Sequence, residues 1–383
     1  MRSGVRSYIG TGVNVAIGRN PAVLRSPERL YLDHAATTPI LPQARAALLS
    51  ALEGWANPSS PHADGRQARA GFEEARRSIA RELCWRHDVI LTSGASEAVQ
   101  IAAARAKAAG RLVNPTEHDV VIKAMGGEAT LLTVEGNGLV DLDRLEEALG
   151  TGPALVAIQL VNNETGVIQP IARIQELVTA AGSLLLCDCA QAAGKIAIPD
   201  ADFIAVSAHK FGGPPGVGAL LVRDLGTLEA SGGQERGYRR GTENWPGVAG
   251  MAAALETHAF LDAMPGLCRL RQKLDDEILA AGGIVVAADA PRAATIGGYS
   301  MPGVASTSQL VQLDLAGISV SAGSACSSGT MKSSRVLAAM GIAPEVSGSV
   351  IRVSFGPGTN ETDIDRLLGE WRRIHSRASK AVA

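Results

Sequence analysis

Short runs of β-forming apolar residues alternate with Ala-rich helical stretches through the first two-thirds of the chain. This alternation is typical of a mostly parallel sheet that is covered by helices. The predicted strands comprise residues 89–92, 120–123, 155–160, 184–188, 203–207 and 219–222. The predicted helices include residues 66–82, 96–109, 141–149 and 171–181. Several strands end in Gly-, Asn- or Ser-rich turns, and ligands of open α/β sheets bind at that carboxyl edge.

The order of elements changes after about residue 255. A long helical region over residues 255–281 precedes short strands near residues 284–287, 298–301, 318–321 and 350–354, which predicts a separate α+β domain. The predicted parts are a loose N-terminal extension (1–28), a large domain (29–255) whose first residues pack with the small domain, and a small C-terminal domain (256–383). The extension carries Arg and has no acidic residue before Glu28, so a transit peptide stays open as an alternative.

Charge, aromatic content and cysteine content argue against several classes of protein. The chain has 36 basic and 38 acidic residues, a formal net charge of −2 and only 3% aromatic residues, so neither nucleic acid nor an anionic membrane is an expected partner. No apolar run approaches the length of about 18 residues that a membrane-spanning helix needs. The five cysteines are odd in number and scattered, which argues against a disulfide framework and for the cytoplasm.

Lys210 follows one predicted strand and Asp188 ends another, and both residues have the chemistry of a cofactor site. Lys210 lies in AVSAHKFGGPPGV (205–217), and a desolvated lysine has a lowered pKa that suits a Schiff base. Asp188 ends the apolar run LLLCD, where a buried carboxylate needs a cationic partner such as a protonated ring nitrogen. A solvated loop lysine and an ordinary strand-end aspartate are the alternatives.

A third element, LTSGASE (91–97), joins a predicted strand to a predicted helix. Backbone amides at such a helix start, together with the hydroxyl groups of Ser93 and Ser96, form a suitable phosphate cup. The motif is not a Walker P-loop, because no Gly-Lys-Ser/Thr follows it. Taken alone it is also compatible with Ser96 as a simple N-cap.

Ten segments, taken in order, resemble the cysteine desulfurases of the class V aminotransferase superfamily. They are YLDHAATTP (31–39), NPSSPH (57–62), TSGASE (92–97), TEH (116–118), VNNETG (161–166), CDCAQAAGK (187–195), SAHK (207–210), GGQERGYRRGTEN (232–244), SAGSACSSG (321–329) and IRVSFG (351–356). The likeness spans about residues 30–370. It implies an α/β, fold-type I homodimer that depends on pyridoxal 5′-phosphate (PLP), with a mostly parallel seven-stranded sheet in the large domain.

The resemblance also implies roles around the cofactor ring. Lys210 is implied to bond the cofactor aldehyde and to move the substrate α-proton, with His118 stacked over the ring as a second catalytic residue. Asp188 is implied to pair with the ring nitrogen. Asn163 and Gln191 are implied to bond the ring hydroxyl.

Further implied roles concern the phosphate and the substrate. The residues implied to hold the phosphate are Ala95, Ser96, Ser207 and His209, joined by Thr242 from the other subunit. Arg352 is implied to grip the substrate carboxylate as a bidentate fork, with Asn163 beside the substrate. For Arg352 alone, pairing with an acid is an equally good interpretation.

Cys326 lies in SAGSACSSG (321–329), a Gly/Ser-rich stretch whose polar composition favours a loop nucleophile over a buried thiol. The resemblance implies that Cys326 takes sulfur from L-cysteine as a persulfide, leaving L-alanine. The long form of this motif resembles the branch that supplies iron–sulfur assembly, so a sulfur-acceptor scaffold is the expected partner. No metal site is certain, although Cys326 could transiently ligate an iron–sulfur cluster. The alternatives are a selenocysteine lyase or another class V enzyme, and a non-catalytic assembly scaffold.

Overall fold

The structure is a computed structural model that describes residues 29–323 and 334–382. The strands in this part of the chain are β1 (Leu30–Tyr31), β2 (Asp88–Thr92), β3 (Gly110–Val113), β4 (Thr130–Leu131), β5 (Ala154–Ala157), β6 (Leu184–Asp188), β7 (Phe203–Ser207), β8 (Gly218–Val222), β9 (Ile284–Val285), β10 (Ile296–Ser300), β11 (Ile318–Ser319) and β12 (Val350–Ser354). The helices are α1 (Pro42–Glu53), α2 (Ala63–Glu82), α3 (Ala95–Arg105), α4 (Asp119–Met125), α5 (Leu142–Leu149), α6 (Ile171–Ala180), α7 (Trp245–Glu256), α8 (Ala259–Ala280), α9 (Ser306–Leu315), α10 (Arg335–Ala339), α11 (Pro344–Ser347) and α12 (Glu361–Val382).

A seven-stranded sheet forms the centre of the molecule, with the strand order β2-β8-β7-β6-β5-β3-β4. The neighbours from β7 to β4 are parallel, whereas β8 is antiparallel to both β2 and β7. Six strands therefore run in one direction and β8 runs against them. The predicted α/β fold with a mostly parallel seven-stranded sheet is confirmed.

Both faces of the central sheet are buried, as expected for parallel strands covered by helices. Alternate residues of each strand point to opposite faces, so Ile204 of β7 belongs to one apolar cluster and Ala205 to the other. Helix α3 lies against β6, β7 and β8 on the second face. Cys187 and Cys189 point into the first cluster with no exposed surface and are small core residues.

The strand predicted at residues 120–123 is wrong, because these residues lie in helix α4. The side chain of His118 caps this helix: its Nδ1 accepts the backbone N–H of Val120 at 3.2 Å. Asp119 in the first turn and Lys123 in the last complement the helix dipole. The strand of this region is β3. Its sequence begins with Gly and Arg and has only two apolar residues, so the apolar pattern did not indicate a strand there.

The C-terminal part contains a three-stranded antiparallel sheet, β12-β10-β9, and helices α8 and α12, which pack together. The predicted helical region over 255–281 is two helices, α7 and α8, separated at His258, whose φ of 52° is left-handed. Strand β1 pairs in parallel with β11, so the first described residues pack against this part. The domain boundary at residue 255 stays a prediction.

None of the helices within residues 29–323 and 334–382 combines the length and apolar character needed to cross a bilayer.

Candidate active site

Lys210 and Asp188 lie at the carboxyl ends of two neighbouring parallel strands. Strand β6 ends at Asp188, which is in register with Ala205 of β7. Strand β7 ends at Ser207, and the short 3₁₀ turn Ala208–Lys210 follows at once. The sheet topology therefore brings the predicted amine and the predicted carboxylate to the same edge.

The side-chain amine of Lys210 is held by two backbone carbonyl groups from the start of the described chain. Its Nζ donates to the oxygen of Ala35 at 2.7 Å and to the oxygen of Ala36 at 2.8 Å. Burial, and next the charge of Arg352, lower the pKa of Lys210 to about 8, although Asp188 and Asp33 oppose them. A useful fraction of the amine is therefore uncharged near neutral pH, as a nucleophile or base requires.

Asp188 is a carboxylate in a site that disfavours its charge. Burial raises the pKa of Asp188, opposed by a hydrogen bond that its Oδ1 accepts from the Ala190 amide at 2.8 Å and by the charges of His118 and Lys210. A cation placed against this carboxylate would stabilise its ionised form. The surroundings of Asp188 thus suit a positively charged ring nitrogen.

His118 is presented at this edge by the start of α4. Because its Nδ1 accepts the Val120 N–H, the neutral ring carries its proton on Nε2. Partial burial lowers the pKa of His118, and the negative charge of Asp188 opposes this effect. His118 is an exposed residue, so it can contact a bound molecule.

The N-terminus of α3 provides the predicted phosphate cup. Its N-cap, Gly94, has a φ of 148° and no side chain that could cap the helix. Gly94 also lies close to Gly218, since a Cβ added to Gly218 would be 2.7 Å from the Gly94 Cα. Ser207 borders the same turn, because a Cβ on Gly94 would lie 3.7 Å from its Oγ. The backbone amides at Ala95 and Ser96 can therefore meet an anion without a competing cap.

His209 is placed next to Lys210 and faces Thr37. Its Nδ1 lies 3.1 Å from Thr37 Oγ1. Burial, followed by the charges of Lys210 and Lys195, lowers the pKa of His209 to about 4. The ring is neutral at physiological pH and can act only as a neutral donor to an anion.

Arg352 lies in β12 with only 5% of its surface exposed. Its Nη2 is 2.8 Å from Asp33 Oδ1, and its Nη1 donates to the backbone oxygen of Asn163 at 3.1 Å. Its Nε is buried and has no hydrogen-bond partner among the described residues. The arginine pairs with an acid and also keeps an unused donor, so both interpretations of its role remain compatible with the structure.

The remaining predicted residues are less tightly grouped. Gln191 lies beside Lys210, because its Nε2 donates to the same Ala35 oxygen at 2.8 Å. Thr242 is exposed, on a segment that the ion pair between Arg239 and Glu97 ties to α3. Cys326 lies outside the described residues.

Sequence reasoning missed Glu164 and Lys195. Glu164 accepts a hydrogen bond from Ser334 at 2.6 Å. Its Oε2 also lies against Gly323, since a Cβ added to Gly323 would be 2.1 Å from that oxygen. It therefore contacts the residues on both sides of the undescribed stretch. Lys195 is 3% exposed, and its position in the otherwise apolar AAGKIAI (192–198) is a signal that could have identified it.

Comparisons with known proteins identify the family of this chain. The sequence profile of the family described as Aminotransferase class-V matches residues 30–367. A cysteine desulfurase of Cereibacter sphaeroides is 35% identical over 378 residues, covering 89% of this chain and 94% of the relative. An IscS-like cysteine desulfurase of Mycobacterium tuberculosis is 35% identical, with coverage of 92% and 98%.

Solved structures give the same result. A NifS-like protein from Rickettsia africae has a TM-score of 0.82 and 28% identity, over 91% of this chain and 99% of that one. A structure described as SspA in complex with cysteine has a TM-score of 0.74 and 27% identity, with coverage of 86% and 99%. The chain therefore belongs to the aminotransferase class-V family and, within it, to the group of the cysteine desulfurases.

Proposed function

We propose that this chain is a PLP-dependent cysteine desulfurase (EC 2.8.1.7), which converts L-cysteine to L-alanine and transfers the sulfur to Cys326 as a persulfide. The observation that carries the proposal is the placement of Lys210, an amine with a pKa lowered to about 8, in the turn directly after β7, the strand next to the one that ends at Asp188. Membership of the family and the similarity to cysteine desulfurases support it.

The residues at the sheet edge fit PLP. Lys210 would bond its aldehyde, Asp188 would pair with its ring nitrogen, and His118, Asn163 and Gln191 would surround the ring. The residues that would hold the phosphate are Ala95, Ser96, Ser207, His209 and, from a second subunit, Thr242. When bound, PLP supplies a conjugated ring that takes up the electron pair left when the substrate α-carbon loses its proton.

The protein side chains have separate tasks. Arg352 binds the substrate carboxylate, and the uncharged amine of Lys210 removes the α-proton and holds it at Nζ. The thiolate of Cys326 attacks the substrate sulfur: an S–S bond forms, the bond from sulfur to the β-carbon breaks, and the carbon keeps its electron pair. L-Alanine then needs one proton at the β-carbon and one returned to the α-carbon, and Nζ of Lys210 and Nε2 of His118 are the groups that can supply them.

The product analysis that tests this function also separates it from its rivals. Purified holoenzyme given L-cysteine is expected to release alanine. The peptide that holds Cys326 should gain about 32 Da, the mass of one added sulfur atom. A selenocysteine lyase or an aminotransferase would give selenide or a keto acid instead. Absence of a yellow absorbance band near roughly 400–430 nm, the range of PLP bound to lysine, would favour a non-catalytic scaffold.

The wider setting is part of the same proposal. A sulfur-acceptor protein, such as an iron–sulfur scaffold, would take the persulfide sulfur from Cys326. We propose a homodimer in the cytoplasm, with the large domain of residues 29–255 holding the cofactor and the small domain of residues 256–383 carrying the thiol. Co-purification of the persulfidated protein with its acceptor is the measurement that would identify the pathway.

Asp188→Asn is expected to slow loss of the substrate α-proton by about 10²-fold or more, within the range by which positioned charges alter catalysis. The amide cannot keep the ring nitrogen protonated, so the electron sink is weaker. Exchange of the α-proton of L-cysteine with deuterated solvent, followed by NMR, measures this step directly.

Asp202→Asn provides the matched control, since Asp202 accepts the Leu185 amide at 2.8 Å near the start of the same strand, β6, away from the site edge. Its exchange rate should stay close to that of the wild type. An Asp188→Asn protein with wild-type exchange would show that Asp188 does not pair with the ring nitrogen.

Arg352→Gln is expected to raise KM for L-cysteine by about 10-fold to 100-fold, which corresponds to the loss of a charge-assisted hydrogen bond of about 1.5–3 kcal/mol. Steady-state alanine production over a range of L-cysteine concentrations gives KM and kcat separately. The exposed Arg173, which pairs with Glu176 on α6, provides the control variant Arg173→Gln. An unchanged KM in Arg352→Gln would show that Arg352 does not bind the substrate carboxylate and that its role is the ion pair with Asp33.

A further inference from the structure

Lys195 is a buried lysine that the proposed reaction does not use. It lies after β6, with 3% of its surface exposed. Its Nζ is 5.0 Å from the centre of the Phe260 ring and 3.5 Å from Oε1 of Gln191, at the outer limit of a hydrogen bond. Within the described part of the chain, no carboxylate forms an ion pair with it.

Keeping an ammonium group at this position lowers the stability of the fold. Burial, together with the charge of Lys210, lowers the pKa of Lys195 to about 7 from its ordinary value of 10.5. The protonated form is therefore less favourable in the folded protein than in the unfolded one. Methionine has a similar length and would fill the same space without that cost, so packing alone does not account for a lysine.

A short series of contacts links Lys195 to Lys210 through Gln191. The Gln191 amide turns its Oε1 toward Lys195, and its Nε2 donates to the Ala35 oxygen at 2.8 Å. The same oxygen accepts Lys210 Nζ at 2.7 Å. The side-chain amide of Gln191 could adopt two orientations that differ by 180°. Because Lys195 donates to Oε1, it selects the orientation in which Nε2 points at the Ala35 oxygen.

We propose that Lys195 is a positioning residue for Lys210: it fixes the Gln191 amide, which in turn fixes the Ala35 carbonyl that holds the Lys210 amine. The titratable groups that face Lys195 are Lys210 and His209. Phe260 of α8 supplies the apolar wall. The proposal rests on Lys210 as the cofactor lysine of the proposed function, but it requires no desulfurase activity.

Lys195→Met tests the proposal through the rate at which the apoprotein forms its covalent bond to added PLP. The rise in absorbance gives the rate, and borohydride reduction followed by mass spectrometry assigns the bond to Lys210, without any L-cysteine present. We expect bonding at least tenfold slower than in the wild type. Lys195→Gln, a neutral donor to Gln191 Oε1, should restore the rate to within about threefold. Lys123→Met, at an exposed position on α4, should match the wild type.

A double variant distinguishes positioning from an unrelated defect. If Lys195 acts through Gln191, Gln191→Ala with Lys195→Met should bond PLP no more slowly than Gln191→Ala alone. A wild-type rate in Lys195→Met, or a double variant in which the two effects multiply, overturns the proposal. If borohydride traps no bond on Lys210 in the wild type, the proposed function fails instead, so the two failures are distinguishable.

Thermal unfolding supplies a second measurement on the same variants. Because the pKa of Lys195 is lowered, the destabilisation is complete below about pH 7 and disappears as the pH rises toward 10.5. Lys195→Met should therefore have a Tm higher by about 2 °C or more below pH 7, and the gain should shrink at alkaline pH. A lower Tm of this variant below pH 7 would contradict the inference that the lysine is kept at a cost in stability.

Discussion

Lys210→Ala is expected to lower production of L-alanine from L-cysteine by at least about 10⁴-fold, the upper range for loss of one general base. In the proposed reaction the amine bonds the cofactor and moves the α-proton, and the methyl side chain of the variant can do neither. The contacts of Lys210 with the Ala35 and Ala36 carbonyl groups show that its amine is held at a defined position, which water could not reproduce. Chromatographic detection of alanine over a long incubation measures the residual rate.

The same protein should still bind PLP without a covalent bond. The amides at the start of α3, near Ser207, are untouched by the substitution and can hold the phosphate. Absorbance of free aldehyde rather than of a lysine adduct would be the signature, and Lys123→Ala provides the exposed-lysine control. Wild-type alanine production by Lys210→Ala would refute the central assignment.

The parts of the fold that the sequence predicted well are the buried strands. Strands β6 and β7 were predicted with the bounds that the structure has, because each is an uninterrupted apolar run that ends at a polar residue. Residues 120–123 have the same apolar character, but the capping side chain of His118 before them starts a helix instead. Periodicity over four residues cannot distinguish these two outcomes.

The chemistry of the site was more accessible from the sequence than its geometry. Lys210 and Asp188 could be selected because their residue types and their positions at or just beyond the ends of apolar runs are visible in the chain. The carbonyl oxygen of Ala35 could not, because it is a backbone group 175 residues away from Lys210. The contacts of Glu164 with Gly323 and Ser334 likewise depend on how distant segments fold together.

Cys326→Ala is expected to remove alanine production and enzyme persulfide while leaving PLP bound to Lys210. The thiol is needed only when sulfur leaves the substrate, so loss of the α-proton should continue. Alanine formation should fall by about 10³-fold or more, since the attacking thiolate has no replacement. Parallel assays of alanine, of persulfide by mass spectrometry and of α-proton exchange by NMR separate the two stages.

Two exposed cysteines provide matched controls for this variant. Cys84 and Cys268 are exposed, and Cys84→Ala and Cys268→Ala should keep both alanine formation and the persulfide. Selenocysteine should be assayed with all three proteins, because selenium leaves carbon more easily than sulfur and can react without the thiol. A transaminase or a simple lyase would not need Cys326. Full alanine production from L-cysteine by the Cys326→Ala protein would therefore exclude the desulfurase mechanism and assign this site to another reaction of the same family.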